Sequence, residues 1–344
     1  MDDLTDRLRE ALAGAEGWLV GGALRDELLG RSVIDLDVAC REPELAARVF
    51  ARASGGAPFP LSERHGAWRI ALEDRRTVDF TPLAAAIEDD LGTRDFTLNA
   101  MARPVGGGDL VDPFGGQEDI AGRTIRAVTD GVFEADPLRL VRAVRLEDEL
   151  GFRCDDRTEE LLRRHAPLAA RPAGERILGE LERLSGAGFR RLAELGLLDA
   201  LGGSDRLFDR IDTVDSPDYR LVSAFGERLC QLPISRSLDR YARTLLRAEP
   251  PTDESARAIH RFRRGTEPWA TDALAFLGMA ELRPVIEEAR MHDPPAPLLR
   301  GDELGLPPGP EIGKLLSLIA EERAAGTITT RKDALAFVEA YKSR

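Results

Sequence analysis

Two aspartates set in an apolar alternation carry the strongest chemical signal in this chain: Ile34-Asp35-Leu36-Asp37-Val38. On a strand, successive side chains face opposite sides. Asp35 and Asp37 then share one face, with Cα atoms about 7 Å apart, and Ile34, Leu36 and Val38 fill the other. Two carboxylates side by side repel each other unless a cation or a proton joins them. A pair of Mg²⁺ ions about 4 Å apart would use both. Upstream, the apolar run Trp18 to Val20 ends in Gly21-Gly22, with twelve residues between Gly22 and Asp35. A glycine pair at a strand-to-helix turn lets backbone N–H groups approach a polyphosphate. A lone Asp-x-Asp is usually a solvated pair and a lone Gly-Gly a turn. Strand, glycine pair, amphipathic stretch and paired carboxylates together are the parts of a nucleotidyl-transfer site.

Three further segments add candidates. Asp79 lies in Thr77-Val78-Asp79-Phe80-Thr81, another apolar alternation, and is expected to be the third carboxylate of a two-metal site. Residues 89–102 contain Arg94-Asp95-Phe96-Thr97-Leu98-Asn99-Ala100. Arg94 can pair with phosphate and Asp95 can accept from ribose hydroxyls. Residues 136–145 read Asp-Pro-Leu-Arg-Leu-Val-Arg-Ala-Val-Arg. Asp136 and Arg139 stand three apart at an expected helix start and so share a face. One acceptor and one fork of donors can read a base edge; a plain helix cap with an ion pair is the alternative.

These residues need a framework. Strand-like runs at 17–20, 33–39, 67–72 and 76–80 alternate with helical pieces at 4–15 and 42–53. The alternation predicts an α+β chain with an N-terminal mixed α/β head over 1–125. Gly106-Gly107-Gly108-Asp109 reads as a hairpin turn. From residue 118 apolar residues fall at helical spacing, which predicts an all-helical remainder. Breaks at Arg171-Pro172, Gly186–Gly188, Ser216-Pro217, Pro250-Pro251 and Pro294-Pro295 suggest a neck over 126–190, a body over 191–298 and a tail over 299–344.

Composition narrows the classes. Cys40, Cys154 and Cys230 are odd in number and far apart, which argues against a disulfide framework or a structural zinc site and fits a reducing cytoplasm. The first residues, Met-Asp-Asp-Leu-Thr-Asp, lack the basic and apolar regions of a signal peptide. No apolar run approaches the ~18–20 residues that span a bilayer, so no membrane partner is expected. Of the histidines His65, His165, His260 and His292, only His292 precedes an Asp, and it reads as a loop rather than a phosphohydrolase site. Net charge is −13, the opposite of a general nucleic-acid binder. Residues 121–191 are nevertheless balanced, with 14 Arg against 13 acidic residues. The lysines are Lys314, Lys332 and Lys342, so positive charge is nearly all guanidinium, suited to bidentate phosphate contact. A biased genome composition explains the same preference.

The opening motif resembles the DNA polymerase β-type nucleotidyltransferase superfamily. Arg94, Asp95, Phe96, Thr97, Asn99 and Ala100 narrow the resemblance to the class II tRNA nucleotidyltransferase and bacterial poly(A) polymerase group. There the corresponding motif runs Arg-Arg-Asp-Phe-Thr-(apolar)-Asn-Ala; Thr93 stands in place of its first Arg. Asp136 and Arg139 resemble the family's base-reading Glu-Asp-x-x-Arg, with Ala135 in place of the Glu. Glu175-Arg176-Ile177-Leu178-Gly179-Glu180-Leu181 is similar to a fifth motif that braces the neck helices, and no chemistry is assigned to it. The resemblance covers 17–184 strongly and 299–335 loosely.

What the resemblance implies is addition of C, with A left open, to the 3′ end of tRNA from CTP and ATP. The catalytic residues implied are Asp35, Asp37 and Asp79, with Mg²⁺ on Asp35 and Asp37. The nucleotide-binding residues implied are Gly21, Gly22, Arg25, Arg94, Asp95, Asn99, Asp136, Arg139, Arg142 and Arg145. The implied partner is the tRNA acceptor arm, with no protein partner. Only Pro82-Leu83-Ala84-Ala85-Ala86-Ile87 separates Thr81 from Glu88. Family members that add all three nucleotides often carry a longer loop there, and CC-adding members a shortened one. Poly(A) polymerase is the nearest rival. A nucleotidyltransferase acting on another substrate and a non-catalytic RNA-binding relative are the others.

Overall fold

The computed structural model describes residues 3–14, 16–62, 66–73, 76–293 and 296–343; Ala15, His65, Pro294 and Pro295 lie outside that range. The chain forms two compact units, Met1–Leu201 and Gly202–Arg344.

The first unit opens with helix α1 (Asp3–Ala11), strand β1 (Gly17–Val20), α2 (Gly22–Leu28), β2 (Asp35–Cys40), α3 (Pro43–Ser54), β3 (Ala57–Ser62), β4 (Ala67–Ala71), β5 (Thr77–Pro82), α4 (Ile87–Gly92) and β6 (Ala102–Pro104). The six strands form one mixed sheet in the order β3-β4-β5-β2-β1-β6. The β2–β5 pair is parallel, and the other neighbours are antiparallel. Strand β3 was not expected from the sequence. Pro58 and Pro60 interrupt its pattern, and a sheet edge is where a strand tolerates missing N–H donors.

Alternation along β2 decides what each face of the sheet does. Leu36 and Val38 are buried with Ile70, Val78 and Phe80 under α3, where the Phe50 and Phe80 rings lie 6.2 Å apart. Ile34 does not share that face, as the alternation had suggested. It precedes the strand and is 61% exposed. On the opposite face Ala39 joins an apolar cluster with Val20, Leu83, Ile87, Leu91, Ala100 and Ala102. One face of one strand thus passes from carboxylates to closed core within a few residues.

The rest of the unit is mainly helical: α5 (Gly116–Ala121), α6 (Val132–Ala135), α7 (Leu138–Leu150), α8 (Asp156–His165), α9 (Gly174–Leu181), α10 (Gly186–Glu194) and α11 (Leu197–Ala200). A small parallel ladder of β7 (Thr124–Ile125) with β8 (Arg153–Cys154) departs from the all-helical expectation. Helix α7 is buried nearly all round, from Leu138 and Leu140 to Leu150, and it packs against α9 and α10. Its enclosed Glu147 accepts from the backbone N–H of Cys154 at 2.9 Å and from Arg191 Nε at 2.8 Å.

The second unit contains α12 (Pro217–Phe225), α13 (Arg236–Leu246), α14 (Ala256–Thr266), α15 (Ala270–Leu277), α16 (Arg283–Met291), α17 (Pro310–Ala324) and α18 (Arg331–Lys342). One apolar cluster joins Ile259, Phe262, Leu274 and Ile286, and a second joins Leu304, Leu315, Ile319 and Val338. Serine caps begin α12, α13 and α14, as their sequence positions require. His292 ends α16 with its Nδ1 2.8 Å from the Glu288 carbonyl, and Asp293 pairs with Arg263. Among the described residues no helix is long and apolar enough to cross a membrane.

Removing one partner of an enclosed ion pair leaves the other charge buried and unpaired. Glu147→Ala should therefore lower stability by about 3 kcal/mol. A urea titration followed by far-UV circular dichroism, giving the same midpoint as the parent, would contradict that role.

Candidate nucleotidyl-transfer site

Strand register brings the three expected carboxylates together. Asp37 on β2 stands opposite Asp79 on β5 and opposite Val20 on β1. Asp35 stands opposite Thr77 and accepts a 2.7 Å hydrogen bond from its Oγ1. Asp35 is exposed at the open end of the strand, whereas Asp37 is half-buried. Burial, opposed by the guanidiniums of Arg94 and Arg69 and aided by the charges of Asp79 and Asp35, pushes the Asp37 carboxyl up to about 6.

Asp79 is present but already engaged. Arg69, in register beside it on β4, donates from Nε and Nη2 to its two oxygens, both at 2.7 Å. Asp79, expected as the third carboxylate of a two-metal site, is thus held by a bidentate guanidinium, a strong and geometrically specific pairing. Arg69 went unnoticed in the sequence. Its signal was the charged position inside Ala67-Trp68-Arg69-Ile70, at the period that faces the carboxylates.

The glycine pair lies directly after β1. Gly21 has φ +77°, and a Cβ there would meet Asp37 Oδ2 at 3.1 Å and Arg94 Nη1 at 3.2 Å. Only glycine suits that backbone and that space. Arg94 is anchored on Asp90 through Nε and Nη2, which leaves Nη1 toward the turn. Arg25 lies against the second glycine, where a Cβ on Gly22 would meet its Nη2 at 3.3 Å. It donates to Asp26 at 3.0 and 2.9 Å and to Asn99 Oδ1 at 2.9 Å.

Asn99 in turn donates to Asp95 at 3.0 Å. Asp95 is 7% exposed and also accepts from the Phe96 N–H and from Arg142 Nη1, the latter at 3.4 Å. Arg142 continues to Glu180 on α9 at 2.9 Å. Arg145, expected on the nucleotide, is instead enclosed: it donates to Glu180 and Glu149, so it braces α7 against α9. The fifth motif supplies Glu180 to this relay, a contribution its sequence did not announce.

The presumed helix-start pair is corrected as well. Asp136 is extended, with φ −145° and ψ 99°, because it precedes Pro137, which disfavours the helical region. Its partner is Arg176, at 2.7 Å, and not Arg139. That bond and the Leu138 N–H outweigh burial and hold the Asp136 carboxyl below its ordinary range. Arg139 donates to three backbone carbonyls, those of Thr93 at 2.7 Å and of Arg94 and Val132 at 3.4 Å. Glu134 does not hold it, and lies instead 3.2 Å from His165 Nε2.

Comparison with known proteins agrees with this arrangement. The family described as the Poly A polymerase head domain matches residues 17–83 and 68–126. An A-adding tRNA nucleotidyltransferase from Deinococcus radiodurans is 32% identical over 415 aligned positions, covering 94% of this chain and 95% of the relative. A CC-adding tRNA nucleotidyltransferase from Thermus thermophilus is 32% identical over 403 positions, covering 93% and 92%. A solved CCA-adding enzyme in complex with CTP shares the fold with a TM-score of 0.84 at 21% identity, over 99% of this chain and 98% of that one. The Thermotoga maritima CCA-adding enzyme complexed with tRNA gives 0.78 at 22% identity, over 99% and 96%. A mixed-sheet head with paired aspartates beside a glycine turn, and two relatives matched over nearly their whole length, place this chain in the family of tRNA nucleotidyltransferases.

Proposed function

We propose that the protein adds C residues to the 3′ end of tRNA from CTP, releasing pyrophosphate, and stops before A. In that reaction the primer's 3′ oxygen bonds to the α-phosphorus of CTP as the bond to pyrophosphate breaks. The observation that carries the choice of nucleotide is the connection from β5 to α4. It is residues 83–86 alone, pinned at its ends by buried Leu83 and Ile87 and by the 2.8 Å bond from the Leu83 N–H to the Cys40 carbonyl. So short and anchored a link cannot swing to reshape a base site between two nucleotides. Such a site reads one base. A-only addition is the second reading, favoured by the Deinococcus relative.

Residues divide the work by position. Gly21 and Gly22 leave room for the triphosphate, and Arg94 Nη1 supplies the cation beside it. Asp95 and Asn99 form the polar floor against which the ribose sits. Asp136 accepts from the base amine and Arg139 donates to the base acceptors.

The donor set fits Mg²⁺. Asp35 and Asp37 are hard oxygen ligands on one face of β2, and Asp37 is held partly out of water beside Asp79. Among the described residues no group of three or more His, Cys, Asp or Glu forms a ready metal site. Mg²⁺ is commonly held by one or two carboxylates together with substrate phosphates. When bound at Asp35 and Asp37, it would activate the attacking hydroxyl and neutralise the triphosphate.

The deciding experiment extends one tRNA transcript in three forms, lacking CCA, ending in C and ending in CC, with CTP, ATP or both. Two C residues on the first form and none on the third are expected. A addition to the third form with no extension of the first selects the second reading, growth of the first form by three nucleotides makes it a full CCA-adding enzyme, and long A ladders select poly(A) polymerase. Asp35→Ala, at an exposed position, should abolish extension with little change in thermal unfolding; retained turnover would sink the assignment.

Arg139→Ala should cut discrimination between CTP and UTP by about tenfold or more, the worth of a charged hydrogen bond to the base. Competition kinetics showing unchanged selectivity would remove Arg139 from base reading.

Asp37→Asn tests the electrostatics without turnover. The folded carboxyl titrates near 6, against the ordinary 3.8. Between those values the folded state binds the extra proton, so stability falls as pH rises toward 6, and the whole penalty is present above it. At pH 7.5 in chelator the variant should be about 1–2 kcal/mol more stable than the parent. Added Mg²⁺ should raise the parent's calorimetric transition and leave the variant's in place. A variant less stable than its parent in chelator would contradict the cost of burying the charged carboxylate.

A further inference from the structure

We propose that Arg69 is a positioning residue for the tRNA primer, and that it contacts the phosphate linking the last two nucleotides. This rests on the nucleotidyl-transfer reading above and concerns the one reactant that reading leaves without a seat.

Register sets four residues in a row across the sheet: Arg69 on β4, Asp79 on β5, Asp37 on β2 and Val20 on β1. The glycine turn follows Val20 immediately, with Arg94 Nη1 beside it. The triphosphate therefore belongs at the β1 end of the row. In phosphoryl transfer the attacking and leaving oxygens lie roughly in line. With pyrophosphate leaving at the β1 end, the primer's 3′ oxygen must arrive from the β5–β4 side. The phosphate on the 5′ side of that nucleotide travels with it, toward β4.

Arg69 has the chemistry for that phosphate. Strands lie about 4.8 Å apart, so its Cα stands about 10 Å from that of Asp37, two strands away. A guanidinium carries five N–H groups. Nε and Nη2 bond the Asp79 oxygens, and that pairing needs only two of the five. The side chain is about a third exposed, while Asp79 beneath it is 14% exposed. Asp79 thus fixes the fork, and the remaining N–H groups are available to an anion arriving from solvent. A guanidinium preset by one carboxylate binds phosphate with less loss of rotamer freedom. It also offsets the charge of a phosphate brought close to three carboxylates.

The experiment uses the full-length protein and a tRNA acceptor minihelix that the wild type extends. One version carries a single neutral methylphosphonate at its last internucleotide linkage. With the natural minihelix, Arg69→Ala should raise KM for RNA about tenfold or more and change KM for CTP less than twofold. Filter binding of the minihelix should weaken in parallel, and Arg69→Lys should recover part of the loss. The methylphosphonate should penalise the wild type by a similar factor and Arg69→Ala hardly at all. Equal methylphosphonate penalties in the two proteins would overturn the contact and leave Arg69 acting only through Asp79. A shift confined to KM for CTP would overturn it too. Failure of the wild type to extend the natural minihelix would instead count against the function proposed above.

Discussion

Like charge is the constraint on which the site is built. Three carboxylates on two neighbouring strands repel one another, and Asp37 in the middle is also partly out of water. The fold does not relieve this by spacing them apart. It brings one guanidinium from each side, Arg94 from beyond the glycine turn and Arg69 from the next strand outward. Two fixed cations flanking a row of acids give the row a direction. One end is suited to a nucleotide's phosphates and the other to a strand's. The remaining architecture serves to hold those two arginines: Arg94 by Asp90 on α4, and Arg69 by the Asp79 carboxylate it neutralises.

A second polar system runs from the same turn into the helices. Asp26, Arg25, Asn99, Asp95, Arg142, Glu180, Arg145 and Glu149 are joined in succession by hydrogen bonds. Each buried charge in it has an opposite partner, which is the condition for keeping such groups out of water. The relay joins the segment expected to hold the ribose to α7, the helix that carries Arg139. An acidic chain can therefore still present cations to a nucleotide, because its arginines are aimed by neighbouring acids rather than dispersed over the surface.

The residues of the candidate site were more legible in the sequence than their contacts. Asp35 and Asp37 were legible because period-2 alternation is a local property of one strand. Gly21 was legible because only glycine tolerates a positive φ beside a carboxylate. The partner strands were not, since register between β2, β5 and β4 is set by tertiary pairing, and with it the meeting of Asp79 with Arg69. Asp136 misled for a local reason that was readable: Pro137 follows it. Arg145 misled for a tertiary one, since Glu180 lies 35 residues further on. Strand β3 hid behind its prolines, which only an edge position explains.

Two departures from the family pattern lie near Arg139. Where the family has an Arg this chain has Thr93, and where it has a Glu this chain has Ala135. One positive and one negative side chain are lost together, so the local balance of charge is kept. With Ala at 135, the hydrogen bonds of Arg139 go to backbone carbonyls, most closely that of Thr93. Carbonyl oxygens carry no formal charge, so they fix the direction of Arg139 without neutralising it. Backbone has replaced side chain as the support, and it does not swing between rotamers. That rigidity matches the short, anchored link between β5 and α4. Both features favour a site that reads one base well over a site that changes its reading.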